Sequence, residues 1–287
     1  MSNETNRIMR ATGLLIIETI NSNPNGDPDR ESDPRQRPDG LGEISPVSFK
    51  RKLRDLVEDK EGPVWLELKK RLDLNDDDFQ VLESRGRDRG KIKEELKDNG
   101  KVFKQKYWDA RLFGNTFLEE NASTSIKTGV VQFGLGLSVA PIIIERHTNT
   151  NKAGVEDNKD RGMAPMAYRF VQHGIYCMPF FVNPSAAHKS GCTATDIELL
   201  LALIPHAYAH SRSYVRPNVE ILHVWYMEHK SQLGSCPDFQ LIEALTPNKN
   251  EQPDSASKNR SEYTIPAKEA LGALKEKINT VKDLIEF

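Results

Sequence analysis

The order in which strand-like and helix-like segments follow one another limits this chain more than any single motif. Thr12 to Ile20 is an apolar, β-branched run that stops at Asn21-Ser-Asn-Pro-Asn-Gly-Asp-Pro-Asp29, where Pro and Gly forbid continuation. A strand followed by a loop is predicted there. Ser45-Pro46 then supplies a helix cap with proline at the first helical position, and Phe49, Leu53, Leu56 and Val57 recur at helical spacing. Val130 to Ile144 returns to strand character, His147 to Ala164 is a polar stretch suited to a projecting loop or hairpin, and Tyr168 to Val182 is a second long strand. Ile197, Leu200, Leu201, Ile204 and Tyr208 mark a second helix, capped by Thr193 or Thr195 and open to a kink at Pro205, and Val219 to Met227 is a further strand. The resulting order, βαββαβ, is that of a ferredoxin-like or RNA-recognition-motif sheet in an α+β fold. Residues 12–59 and 128–230 would form this palm. Residues 60–127 read as a helical insertion that a compact core could omit. Residues 246 to 262 read as a polar tether with little to bury, and Leu271, Leu274, Ile278, Val281 and Ile285 predict a closing amphipathic helix over 266–286, so that 231–287 forms a C-terminal appendage.

A length of 287 residues is ample for a core, and no apolar run approaches the roughly 20 residues that span a bilayer. Leu14 to Ile17 is too short for the core of a secretory signal, so a cytoplasmic chain is expected. Cys177, Cys192 and Cys236 are odd in number and widely spaced, which argues against a disulfide framework or a zinc site. The net charge of -2 excludes a bulk polyanion binder, but the charge is segregated. Residues 50 to 54 read Lys-Arg-Lys-Leu-Arg, residues 84 to 111 hold ten Lys/Arg against five Asp/Glu, and acids concentrate at 27–33 and 73–78. A polyanion-binding face on an acidic remainder would look like this.

Four groups of residues suggest chemistry. The Asn-Gly loop, with Lys50, Arg51 and Arg54 on one helix flank, suits phosphate binding without base reading, and equally suits an ordinary surface loop beside a solvated helix face. Asp27, Asp29, Glu31 and Asp33 alternate along the loop, but Ser32 and Pro38 stand where a calcium loop needs Gly and Glu, so a metal-dependent nuclease or simply solvated acids remain. His206 and His210 have i, i+4 spacing without the Glu of a zincin. Arg212 and Arg216 with Tyr214 between them suit single-stranded nucleic acid, or a helix C-terminus favoured by its dipole. No phosphate-binding glycine loop or serine-nucleophile elbow is present in the sequence.

Asn23-Pro-Asn-Gly-Asp-Pro-Asp29, Pro34-Arg35, Phe49-Lys-Arg-Lys-Leu-Arg-Asp55 and Asp109-Ala-Arg-Leu-Phe-Gly114 together resemble the repeated backbone subunit of the type I CRISPR surveillance complex, Cascade, closest to its I-C and I-B branches within the RAMP superfamily. Thr195-Asp-Ile-Glu-Leu-Leu200 and Ala209-His-Ser-Arg212 resemble the family's second helix and its arginine-bearing end, and the likeness extends over most of residues 12 to 229. The resemblance implies a modified RNA-recognition-motif palm, a helical insertion and a β-hairpin thumb at about 145–167. It implies copies polymerised along the spacer of a guide RNA (crRNA), each thumb kinking the RNA of its neighbour and leaving bases free to pair with target DNA. The expected partners are crRNA, further copies of the chain, other Cascade subunits, target DNA through the guide heteroduplex, and a recruited effector nuclease, with no membrane. No catalytic residue, metal or cofactor is expected. Asn23, Asn25, Gly26, Lys50, Arg51 and Arg54 would hold the guide backbone, assisted by Arg111, Arg212 and Arg216. Around the thumb, Arg146 and Arg169 would join them, and Met163, Met166 or Tyr168 would wedge at a kink. The alternative is a metal-dependent ribonuclease of the related type III kind, using Asp27 and Asp29.

Overall fold

The computed structural model describes residues 7–86, 88, 90, 94, 101–114, 128–152 and 163–285, with the side chains of 149–152 and 163–167 outside the description. Strand β1 (Ala11–Ser22) lies at the centre. Its apolar run is continuous, without alternation, because both of its faces are covered. Leu15 and Ile17 enter one buried cluster and Leu14 and Ile16 a second on the opposite side.

Around β1 the chain adds β2 (Leu41–Ile44), β3 (Val131–Phe133), β4 (Gly136–Pro141), β5 (Ile144–Lys152), β6 (Met163–Val182), β7 (Val219–His229) and β8 (Ile278–Asp283). The sheet order is β8-β7-β1-β6-β4-β2, with β3 and β5 also pairing with the long β6, and every pair is antiparallel. Within it, β7-β1-β6-β4 is the fourth-first-third-second order of a βαββαβ sheet, so the chain has the mixed α/β architecture of an RNA-recognition-motif palm. Strand β6 outruns the palm. Its first half pairs with β5 from Lys152↔Met163 to Ile144↔Val171, and its second half pairs with β1 from Ser22↔Val171 to Ala11↔Val182.

One sheet face carries α1 (Pro46–Glu58) and α5 (Ala194–Leu203). Ser45 caps α1, its hydroxyl accepting from the Ser48 N–H at 3.2 Å, and Thr193 with Asp196 forms a reciprocal capping box on α5. The α-helical hydrogen bonding of α5 ends at Leu203, and Pro205 falls in a tighter 3₁₀ turn at Ile204–His206. Helices α2 (Pro63–Leu72), α3 (Lys101–Lys106) and α4 (Trp108–Phe113) come from the stretch read as dispensable. Trp65, Leu68, Trp108 and Leu112 nevertheless belong to the same buried cluster as Leu15 and Ile17, so their removal would open the main core.

The C-terminal expectation is overturned. Helix α6 (Asp238–Leu245) packs Leu241 and Leu245 against Leu14 and Ile16, and the polar stretch that follows is folded onto the sheet, with Asn248–Lys249 paired to Tyr263–Thr264 and Ser257 and Tyr263 buried. No closing helix runs through the described residues 266–285. Gly272 adopts φ 50°, ψ -128° and interrupts the 3₁₀ turns of Lys268–Lys277, and Ile278–Asp283 becomes edge strand β8. Leu271 is buried in the second cluster and Leu274 packs against it from beyond the kink at Gly272. The β-branched Ile278, Thr280 and Val281 instead pair with β7, whose backbone would otherwise be an open edge. The palm is therefore covered on both faces.

Candidate nucleic-acid interface

The loop leaving β1 is shaped by its own asparagines. Asn23 Nδ2 donates to the Ser32 carbonyl at 2.9 Å, and Asn25 Oδ1 accepts the Ser45 N–H at 2.7 Å, which fixes the approach to α1. Both side chains are buried, so they build the loop and do not line its surface. Positive φ occurs at Asn21 (45°), Glu31 (50°) and Ser32 (67°), not at Asn25 or Gly26. Gly26 has a different use: a Cβ there would stand 3.2 Å from the Ser32 carbonyl oxygen, across the short ladder of Gly26–Asp27 with Asp33–Pro34. Asp27 caps the turn at the Asp29 N–H (3.2 Å) and lies 3.9 Å from Arg35.

Two arginines expected on the RNA surface are placed in the interior. Arg54 Nε donates to Asp109 Oδ2 at 2.8 Å, and Asp109 also accepts the Leu82 N–H at 2.7 Å. Arg111 grips Asp196 through Nη2 at 2.7 Å and Nε at 3.0 Å, and donates to the carbonyls of Asp78, Lys104 and Gln105. Burial of Arg111 is compensated by bidentate pairing and backbone acceptors, and that of Arg54 by the Asp109 carboxylate and the Phe113 ring 5.4 Å away. Arg51 is likewise engaged, with the Glu83 carbonyl and with Asp55 at 3.6 Å.

The lysines of α1 are in a different condition. Lys50 sits 4.9 Å from the centre of the Phe113 ring, without an ion pair among the described residues, and burial together with the neighbouring Arg54 holds its ammonium below the usual lysine pKa. Lys52 was not among the expected contacts. It is 6% exposed, its Nζ lies 5.1 Å from the Tyr208 ring centre and 3.5 Å from the Ser48 carbonyl, and burial, then Arg216, pushes it down to about 8. The sequence carried a signal for it, since Lys52 falls on the same helical face as Phe49, Leu53 and Leu56, where a solvated lysine does not belong. Arg216 joins this group to the loop by donating from Nε to the Asn23 carbonyl at 2.9 Å.

Next to Arg216 an aromatic row crosses the base of the β5–β6 hairpin. Ring centres are 5.1 Å apart for Tyr214 and Tyr168, 5.0 Å for Tyr168 and Phe170, and 5.1 Å for Phe170 and His147. Tyr214 is 58% exposed, and the Tyr168 hydroxyl donates to the Asn21 carbonyl at 3.1 Å. Arg146 makes a two-pronged contact with Asp33 at 2.5 and 3.3 Å, and Arg169 reaches Asp33 at 3.3 Å and the carboxylate and carbonyl of Glu31. The Arg146 hydrogen bond is the main cause of the lowered Asp33 pKa. Arg212 forms an exposed pair with Glu220 at 3.1 Å. The backbones of Met163 and Met166 are in the hairpin ladder, opposite Lys152 and Asn149, while their side chains lie outside the described residues, as does any wedge they would form. The candidate interface thus brings together Lys52, Arg216, Tyr214, Tyr168, Arg146 and Arg169 around the Asn-Gly loop. Lys50 lies on the α4 side of α1. His206 and His210 face each other at 5.6 Å between ring centres, and no group of three potential metal ligands occurs among the described residues.

A family model described as CRISPR-associated protein Cas7 matches residues 9–268. Among solved structures, a chain of a "CRISPR RNA-guided surveillance complex, pre-nicking" is 17% identical, with 77% of this chain and 78% of that chain covered and a TM-score of 0.49. A chain of a "CRISPR RNA-guided surveillance complex" is 16% identical, with 75% and 69% covered and a TM-score of 0.40. No curated protein matches. A family match over nearly the whole length, on a palm with the fourth-first-third-second strand order, places this chain in the Cas7 family of CRISPR-associated proteins.

Proposed function

We propose that this protein is a backbone protomer of a type I CRISPR surveillance complex, binding guide RNA in repeated copies along the spacer and leaving the bases open to pair with target DNA. The Cas7 family match over residues 9–268 carries the reading. A protomer that serves any spacer has to hold phosphate and sugar and ignore base edges. Lys50, Lys52 and Arg216 suit that task as cations without a carboxylate ion pair among the described residues, and exposed Tyr214 beside Tyr168 offers a stacking surface indifferent to sequence. The β5–β6 hairpin serves as the thumb. Its partners are other copies, further Cascade subunits and an effector nuclease, and the protomer itself performs no chemistry on the RNA. The metal-dependent ribonuclease reading is not favoured, since Asp27 is engaged by the Asp29 N–H and faces Arg35.

The test is the nucleic acid carried by the assembled complex. RNA of uniform length is expected to co-purify, complementary RNA should stay intact with magnesium, and replacing Lys50, Lys52 and Arg216 by Ala should weaken binding equally for unrelated spacers. Removing three phosphate contacts on a single strand should lower the salt slope by about 2. An RNA-free complex, or losses confined to one spacer sequence, would overturn the reading.

A further inference from the structure

Lys52 occupies an unusual position for a buried cation. Its ammonium has Arg216 as a charged neighbour, and its own hydrogen bond is to a backbone carbonyl at 3.5 Å. The acid that acts on it, Asp55 on the same helix, is already approached by Arg51 at 3.6 Å and Arg85 at 3.5 Å. Two buried polar atoms nearby lack hydrogen-bond partners among the described residues: the Tyr208 hydroxyl, whose ring underlies the ammonium, and Asn23 Oδ1, whose residue receives Arg216 at its carbonyl. Lys52 also lines a cleft of about 220 Å³ together with Asp55, Asp59, Trp65, His210 and Ser211. Paired cations beside an unpartnered hydroxyl are what an anion would complete, because like charges in a poorly hydrated place repel until a negative group joins them.

We propose that a phosphate of the guide seats against Lys52 and Arg216, and that its capture draws up to one proton from bulk water onto Lys52 Nζ. The proposal rests on the RNA-binding reading above and adds a regulation to it. In the empty protein, burial and Arg216 hold Lys52 at about 8, so near that pH a large share of the side chain is the neutral amine. A seated phosphate supplies the missing negative charge and returns it to NH₃⁺, the proton coming from solvent and no bond in the RNA being altered. The sign follows from linkage: binding is strongest below pH 8 and falls as pH rises, until the lysine of the bound state also loses its proton. Arg216 pushes the lysine down and Asp55 pushes it up. Tyr208 stays a phenol over this range because burial raises it, and His210 and Asp59 complete the titratable groups on the cleft.

The experiment measures affinity of the full chain for a single-stranded RNA of mixed sequence, at fixed salt, between pH 7 and pH 10. Kd is expected to rise by up to about tenfold per pH unit above 8, with uptake approaching one proton by calorimetry in buffers of different ionisation heat. Lys52→Arg, which cannot lose its charge, should remove the slope. Lys52→Met should bind weakly at pH 7 and converge with the unmodified protein at high pH. His210→Gln should keep the slope. An unmodified protein that binds RNA with a flat pH profile overturns the proposal and leaves the RNA-binding reading intact, as does a slope that survives in Lys52→Arg, which would place the titration on another group. A chain that binds no RNA at any pH overturns both.

Discussion

Replacing Asp196 by Ala would leave the Arg111 guanidinium buried, charged and deprived of both carboxylate oxygens. A loss of about 3–5 kcal/mol in urea unfolding is expected, the cost of breaking a buried pair from one side, and the loss should be the same with or without RNA. A change in RNA affinity with unaltered stability would return Arg111 to the interface. The run Lys-Arg-Lys-Leu-Arg was plain in the sequence, yet which of its cations face a ligand was not. Arg54 is claimed by Asp109 and Arg111 by Asp196, partners 55 and 85 positions away that no local spacing announces. Lys52, which like Lys50 has no carboxylate ion pair among the described residues, was hidden by the opposite error, since a charge on an apolar helical face looks like noise until Tyr208 and Arg216 are seen beside it.

Among the elements, those defined by continuous burial or by caps were legible: β1 from its unbroken apolar run, α1 from Ser45-Pro46, and α5 from Thr193. The C-terminal segment was not, because its apolar spacing fits a helix while the deciding facts are a glycine at positive φ and an unpaired edge of β7. The hairpin is tied to the loop by Asp33, whose carboxylate meets both Arg146 and Arg169. Its pKa lies below the ordinary 3.8, chiefly through Arg146, so this tie is intact above that value and is lost as pH falls through the lower folded value. Asp33→Asn should reduce amide-exchange protection along Ile144–Lys152 at neutral pH, and the unmodified protein should approach the variant only in strong acid. Unchanged protection would show that strand pairing alone positions the hairpin.

For the whole molecule, residues 237–278 are the second cover of the sheet and not an appendage. Truncation after Cys236 would uncover Leu14, Ile16, Ile175, Trp225 and Met227 together. The shortened chain is expected to aggregate or bind a hydrophobic-surface dye strongly; a soluble, cooperatively unfolding fragment would refute the two-sided packing. Composition could not reveal this layering, because a net charge of -2 says nothing about which polar stretches lie against apolar strands. The place of β1 has a consequence for biogenesis. Ala11 bonds into ladders with partners at Val182 and Glu228, so β1 stays sticky and homeless from the time it leaves the ribosome until the chain has been made past Glu228. Such distant pairings make for slow maturation and a long window of exposure, and over-rapid synthesis of this chain should therefore raise the insoluble fraction before it raises the yield of folded protein.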